Sequence, residues 1–203
     1  MNLTMPTLTG RTVRLEQLAE MHLGDLLSAA CHPEIWIYLD EPVPQTSADI
    51  RRLYEDAMCE QAQGKRMPWA IVDSASGRAV GSTSFINIRP NDRAVEIGWI
   101  WLTPAMWGTG AARECLRLQL GHAIDTMGAV RVAYKADARN IRSLRSIEAA
   151  GVVREGVFRN HRILSDGYIR DSVYYSVIPN EWPAVRDRLD EMLAEADDPR
   201  PNV

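Results

Sequence analysis

An apolar run, Val95 to Leu102, leads into Trp107-Gly108-Thr109-Gly110-Ala111-Ala112, and an unbroken helical pattern follows to about Met127. This succession constrains the fold more than any other stretch. A glycine-rich turn between strand and helix leaves several backbone N–H groups free at the helix N-terminus, where the helix dipole adds partial positive charge. Such a terminus attracts phosphate. The next strand-like run, Val130 to Ala136, lies beyond the helix, so the chain crosses over between these two strands.

The remaining periodicity surrounds this unit with further strands and helices. Arg11 to Leu18 alternates as a strand, and Met21 to about Cys31 reads as a helix that ends before His32-Pro33. Glu34 to Gln45 is a polar and aromatic loop. Thr46 or Ser47 caps a helix to about Gly64, with Ile50, Leu53, Tyr54 and Met58 on one face. Strands are predicted at Pro68 to Val72, Ala79 to Ile88 and Arg93 to Leu102, with turns at Ser74 to Gly77 and Pro90 to Asp92. Downstream, Arg139 to Ala150 is a helix stopped by Gly151. Val153 to Leu164 and Tyr168 to Ile178 form a hairpin around Asp166-Gly167. Glu181 to about Ala196 is a terminal helix, and the acidic, proline-containing tail beyond it is expected to fray. With no repeat or linker, the chain reads as one α+β domain over residues 1–203, its core about 11–178. Its sheet is mixed, mostly antiparallel and about seven strands wide.

Composition narrows the function classes. A chain of 203 residues, 46% of them apolar, can bury an ordinary core. The net charge is −4 and no basic stripe appears, which argues against a nucleic-acid partner. Nearly all basic charge is arginine; Lys65 and Lys135 are the two lysines. Cys31, Cys59 and Cys115 are odd in number and far apart, so buried free thiols in a reducing compartment are expected. The four histidines lack metal-ligand spacing, and no metal is expected. Met1 to Gly10 has no apolar signal core, and no apolar run reaches membrane-spanning length. The expected place is the cytoplasm, without a membrane partner.

Three phosphate ligands compete for the turn. A nucleotide P-loop requires a lysine that the turn lacks. A dinucleotide site requires a third glycine where Arg113 stands, and the strands before it read as an antiparallel meander. The third ligand is coenzyme A. Trp107 to Ala112 resembles the Q/R-x-x-G-x-G/A pyrophosphate loop of the Gcn5-related N-acetyltransferase (GNAT) superfamily, with Gly110 as its central glycine and Ala112 as its last small residue. Trp107 replaces the usual Gln or Arg, as in the RimJ/RimL-type branch. Asn140 to Gly151 resembles the N-x-x-S…E-x-x-G helix of the same branch, and it begins about thirty residues downstream.

The resemblance covers roughly Arg11 to Ile178 and implies a three-layer α/β/α fold. It also implies acyl transfer, with acetyl the expected group, from acetyl-CoA to a small-molecule or peptide amine without a covalent enzyme intermediate. Backbone N–H groups from Gly108 to Ala112, with Trp107 and Thr109 in the same loop, would hold the pyrophosphate. Ile100, Trp101 and Leu102 would grip the pantetheine arm and thioester where their strand splays from the next. Asn140 would bond the pantetheine amides, and Ser143, one turn on, would donate a hydrogen bond to the sulfur. Ile147 stands where many members carry a tyrosine. Arg113, Arg142 and Arg145 could reach phosphate or serve as solvated helix faces.

Glu96 is the candidate base. It is the only acid between Ala94 and Leu102, and strict alternation puts it on one face with Gly98 and Ile100, opposite Val95, Ile97, Trp99 and Trp101. A carboxylate among apolar neighbours has its pKa raised; the competing expectation is an edge-exposed or Arg-paired acid. Trp36, Tyr38, Asp40 and Glu41 are expected to roof the acceptor cleft, with His161 and Tyr174 near it, and Trp69, Trp99 and Trp101 to pack in the core. The rival functions are a CoA-binding regulatory module without turnover and a dinucleotide-binding protein. A homodimer is left open.

Overall fold

Among the described residues eight strands form one sheet, and helices cover both of its faces. The computed structural model describes residues 1–196; the tail expected to fray lies outside the described residues. In chain order the elements are β1 (Leu8–Thr9), β2 (Val13–Gln17), α1 (Leu23–Ala30), α2 (Pro33–Trp36), α3 (Ser47–Ala62), β3 (Arg66–Asp73), β4 (Ala79–Arg89) and β5 (Ala94–Leu102), followed by α4 (Ala111–Gly121), β6 (Arg131–Asp137), α5 (Ile141–Ala149), β7 (Val153–Ile163), β8 (Ile169–Val177) and α6 (Trp182–Ala196). The sheet order is β1-β2-β3-β4-β5-β6-β8-β7. Among the described residues only β5–β6 is parallel, as a crossover through α4 requires. The sheet therefore has one strand more than expected. The extra strand, β1, spans two residues, too few to show alternation.

Two cores follow from the period of the strands. On one face Val13, Leu15, Trp69, Ile71, Phe85, Val95 and Ile97 pack with Cys115 and Leu120 of α4, Ile147 of α5 and Leu189 of α6. On the other, Ala70, Val72 and Trp101 pack with Leu26, Trp36 and Ile50 from α1, α2 and α3. This is the expected α/β/α layering. α3 begins at a reciprocal cap: Asp49 N–H donates to Thr46 Oγ1 at 3.3 Å, and Thr46 N–H donates to Asp49 Oδ2 at 2.8 Å.

Several local expectations are corrected. The loop predicted from Glu34 opens as the one-turn helix α2, because Pro33 pre-sets a helical φ at its first position. The long helix to Met127 is α4 plus a π-helical turn, His122–Thr126. Only Cys115 is a buried thiol; Cys31 and Cys59 are exposed, since each falls at or near a helix end or on its solvent side. Burial pushes the Cys115 thiol well above its ordinary value.

A buried carboxylate anchors the crossover helix. Glu114, in the first turn of α4, accepts from the N–H groups of Arg11, Thr12 and Val13 at 2.7 to 2.8 Å and from the Thr12 hydroxyl at 2.5 Å. It inserts into the β1–β2 turn so closely that a Cβ on Gly10 would lie 2.4 Å from its carboxyl carbon. Burial pushes the Glu114 pKa up, but these four donors outweigh it and the net shift is downward. A depressed carboxylate pKa stabilises the fold fully above the unfolded value near 4.5 and progressively less as pH falls through the folded value. Glu114→Gln is expected to destabilise the protein by roughly 2–3 kcal/mol at pH 7. In urea titrations the gap to the wild type should shrink between pH 5 and pH 3; an undiminished gap would disprove the charge-based account.

Candidate active site

β5 and β6 pair from Ala94–Arg131 to Ile97–Tyr134 and then part. Beyond that point β5 keeps only β4 as a neighbour, and β6 keeps only β8. A cleft of about 920 Å³ opens between them. Glu96 to Leu102 forms one wall, and Tyr134 to Asp137 with the start of α5 forms the other. The unpaired side of residues 98–102 presents backbone donors and acceptors to an extended, amide-bearing ligand.

The glycine turn closes one end. Gly108 and Gly110 have φ of +81° and +90°, a left-handed backbone that favours glycine. Gly110 is the N-cap of α4, and no side chain caps the helix. The sole side-chain contact to the first turn's amides from within this loop is the long one, 3.4 Å, from Ala111 N–H to Thr109 Oγ1. Trp107 is a brace: its Nε1–H donates to the Leu102 carbonyl at 2.9 Å, and the Arg142 guanidinium stacks 3.5 Å over its ring. The Leu102 carbonyl is thus already engaged, which limits the strand edge expected at Ile100 to Leu102. Arg113, Arg142 and Arg145 line this end and have no carboxylate partner among the described residues.

A bulge overturns the expected facing of β5. Ser84 pairs with Gly98 and Ser82 with Trp101, so two residues of β5 oppose one of β4. Trp99 takes a φ of +53° there. The extra residue inverts the phase. Trp101 packs in the α1–α3 core on the face of Glu96, while Ile100 packs on the face of Val95 and Ile97. Trp99 is half-buried and lines the cleft instead of joining the core; Trp69 and Trp101 are core residues as expected.

Glu96 is buried but not among apolar groups. Its Oε2 accepts from Asn87 Nδ2 at 2.7 Å, and its Oε1 lies 2.8 Å from Lys135 Nζ. The acid is thus neither among apolar groups nor at an exposed edge; it is paired, but with a lysine where an arginine was expected. The parallel register sets Glu96 opposite Ala133, which puts Lys135 two residues on along the same face. The rarity of lysine in this chain was the one available signal for Lys135.

On the opposite wall Asn140 caps α5, its Oδ1 accepting from Ser143 N–H at 3.2 Å. Its Nδ2 makes no bond among the described residues and is available to a ligand carbonyl. The Ser143 hydroxyl lies 3.5 Å from that of Tyr134, whose phenol is pushed up by burial and held back partly by this contact. Sequence reasoning missed Tyr134, because its proximity to Ser143 comes from the β6–α5 packing. Ile147 is core.

The far end of the cleft carries Tyr38, Leu39, Arg162 and Arg170. Asp137, 1% exposed, holds Arg139 at 2.8 Å and Arg170 at 3.8 Å. Burial pushes its carboxyl up, and the hydrogen bonds from Arg139 bring it net below the ordinary range. Asp40 accepts from Ser165 N–H at 2.8 Å and lies 3.5 Å from Arg162. Trp36 and Glu41 line a separate, smaller cavity. His161 lies 3.0 Å from the Ser172 hydroxyl and 3.4 Å from that of Tyr174, and neither His161 nor Tyr174 lines the cleft. Among the described residues no helix is long and apolar enough to cross a membrane, and no group of three His, Cys, Asp or Glu could hold a metal.

Comparison with known proteins matches residues 12–153 to the acetyltransferase (GNAT) domain model. A solved protein of T. thermophilus, provisionally described as an acetyltransferase, is 39% identical, with 95% of this chain and 100% of that one covered and a TM-score of 0.84. The ribosomal-protein-serine acetyltransferase of Escherichia coli K12 is 22% identical over 173 residues, which cover 84% of this chain and 95% of that protein. A RimL ribosomal L7/L12 alpha-N-protein acetyltransferase, solved with coenzyme A, shares the fold at 21% identity and a TM-score of 0.74, with 85% and 98% of the two chains covered. Gly110→Ala is expected to weaken coenzyme A binding about tenfold, since a left-handed backbone costs a non-glycine residue about 1–2 kcal/mol. Calorimetry with coenzyme A checks it, and unchanged affinity would remove the turn from the site.

Proposed function

Because the chain belongs to the GNAT family of acetyl-CoA-dependent N-acetyltransferases, we propose that it acetylates a primary amine by direct attack in a ternary complex. One observation carries the reading. A single cleft joins an uncapped helix N-terminus with unpaired arginines to an unpaired strand edge, with Glu96 and Ser143 on its opposite walls.

Bound acetyl-CoA supplies an activated thioester. The first N–H groups of α4, with Arg113, Arg142 and Arg145, hold its pyrophosphate. The free edge of residues 98–101 and Asn140 Nδ2 bond the pantetheine amides, and a β5 N–H polarises the acyl carbonyl as negative charge develops on its oxygen. Glu96 receives the ammonium proton. Its Oε2 is held by Asn87, while its Oε1 lies beside Lys135 without a hydrogen bond and takes the proton directly or through a water. Ser143 donates a hydrogen bond to the sulfur as the C–S bond breaks and the C–N bond forms. The second proton shed by the nitrogen balances the one the thiolate takes up.

The relatives named for ribosomal proteins make a protein α-amine the first acceptor to test. An amino-acid-like metabolite and an amine antibiotic complete the panel, and the cytoplasm is the proposed place of action. The Lys135–Glu96 pair favours a second reading, a CoA-binding module without turnover, because it engages the candidate base. Calorimetry with acetyl-CoA, CoA and NAD, followed by thiol detection across the panel, separates the readings. Glu96→Gln is expected to lower kcat about a hundredfold or more near neutral pH with acetyl-CoA affinity held within about twofold. An unchanged rate removes Glu96 as the base.

A further inference from the structure

Behind the β5 bulge lies a second cavity, of about 280 Å³, between α3 and strands β3 to β5. Leu26, Trp36, Leu53, Tyr54, Trp99 and Trp101 line it. Trp99 and Trp101 also line the larger cleft, so the two spaces share a wall. Arg66, itself buried, fixes that wall. It donates to the Ser84 hydroxyl at 2.8 Å, pairs with Glu60 at 3.3 Å and stacks 4.7 Å over the Trp99 ring. Arg66 pairs with Ile86 and Ile86 with Glu96, so the cavity floor and the candidate base share one row of the sheet, ~10 Å apart at two strand spacings.

We propose that this cavity is the acceptor's specificity pocket, taking an aromatic or branched aliphatic group carried by the amine that reaches Glu96. The proposal rests on the transferase reading. The lining is apolar and aromatic, which suits such a group. Its size is sufficient, since an apolar cavity of ~150 Å³ already holds benzene. The indole N–H groups of Trp99 and Trp101 have no acceptor among the described residues, so they are available to a ligand carbonyl. Glu41, Asp56 and Glu60 at the rim outnumber Arg52 and Arg66, their partners, and the residual negative charge draws in an ammonium group.

The test compares phenylalaninamide with glycinamide by thiol release, and follows tryptophan fluorescence as phenylalaninamide is titrated into the CoA-saturated protein. The wild type is expected to prefer phenylalaninamide about 10- to 100-fold in kcat/KM, the range that burial of one such side chain supports. Leu53→Trp, which fills the pocket, should bring the ratio near one and abolish the fluorescence change. Leu53→Ala, which enlarges it, should shift the preference toward bulkier amines. Acetyl-CoA affinity by calorimetry reports that each variant is folded. Turnover of both amines at similar kcat/KM, or a ratio that Leu53→Trp leaves unchanged, overturns the pocket and leaves the transferase standing. Acetyl-CoA binding with no thiol release from any amine overturns the transferase reading. A fluorescence response without turnover then overturns the pocket as an acceptor site.

Discussion

Between Ser82 and Ser84, β5 carries one residue more than its partner β4, and Trp99 absorbs the excess with a left-handed backbone. That conformation costs a non-glycine residue about 1–2 kcal/mol and persists only where its surroundings over-determine it. The Arg66 stack over the indole is such a surrounding. A bulge bends its strand and increases the local twist. The parallel pairing of β5 with β6 ends at Ile97, two residues earlier, so the bend falls where β5 leaves its neighbour. The cleft, its unpaired edge and the cavity behind Trp99 all adjoin this irregularity, which also changes the face of the strand and sends Trp101 into the α1–α3 core.

Charge is distributed unevenly along the cleft, and the unevenness has a chemical sense. Away from the glycine turn the charges come paired: Glu96 with Lys135, Asp137 with Arg139 and Arg170, Asp40 with Arg162. Such pairs add little net stability once desolvation is counted, and removing one member is costly. They fix geometry: Asn87 and Lys135 orient the Glu96 carboxylate, and Asp137 orients two guanidiniums. At the glycine turn Arg113, Arg142 and Arg145 have no acid opposite them among the described residues. Uncompensated positive charge beside uncapped helix N–H groups suits a pyrophosphate diester.

How much of this was legible in the sequence depended on the range of each interaction. The strand–turn–helix unit and the Asn140 cap are local, and spacing reveals them. Glycine at 108 and 110 is required by the backbone itself, so it could be read without a partner. The Glu114 anchor joins residues about a hundred positions apart, and no local pattern announces it. The facing of Glu96 could be read because it precedes the bulge. Alternation failed from Trp99 onward, because an inserted residue shifts the phase without leaving a sequence mark when it is a tryptophan. Lys135 needed the parallel register, which is a property of the crossover and not of either strand, and Tyr134 needed the packing of α5 on β6.

The boundary of the family match has a physical counterpart. Residues 12–153 contain the glycine turn, the β5 edge and α5. Arg162 and Arg170, at the other end, lie outside it. The end proposed for the coenzyme offers largely backbone: a left-handed glycine, free amides at a helix start and an unpaired strand. Such recognition tolerates side-chain change, which is why Trp107 can stand in the turn and act as a brace. The pocket proposed for the acceptor, by contrast, is lined by side chains from α1, α2, α3 and β5 whose identities the fold leaves free. One architecture can therefore keep its donor while its acceptor changes, and what selects the acceptor here must be sought in Trp36, Leu53, Tyr54 and Trp99 and not in the motifs that mark the family.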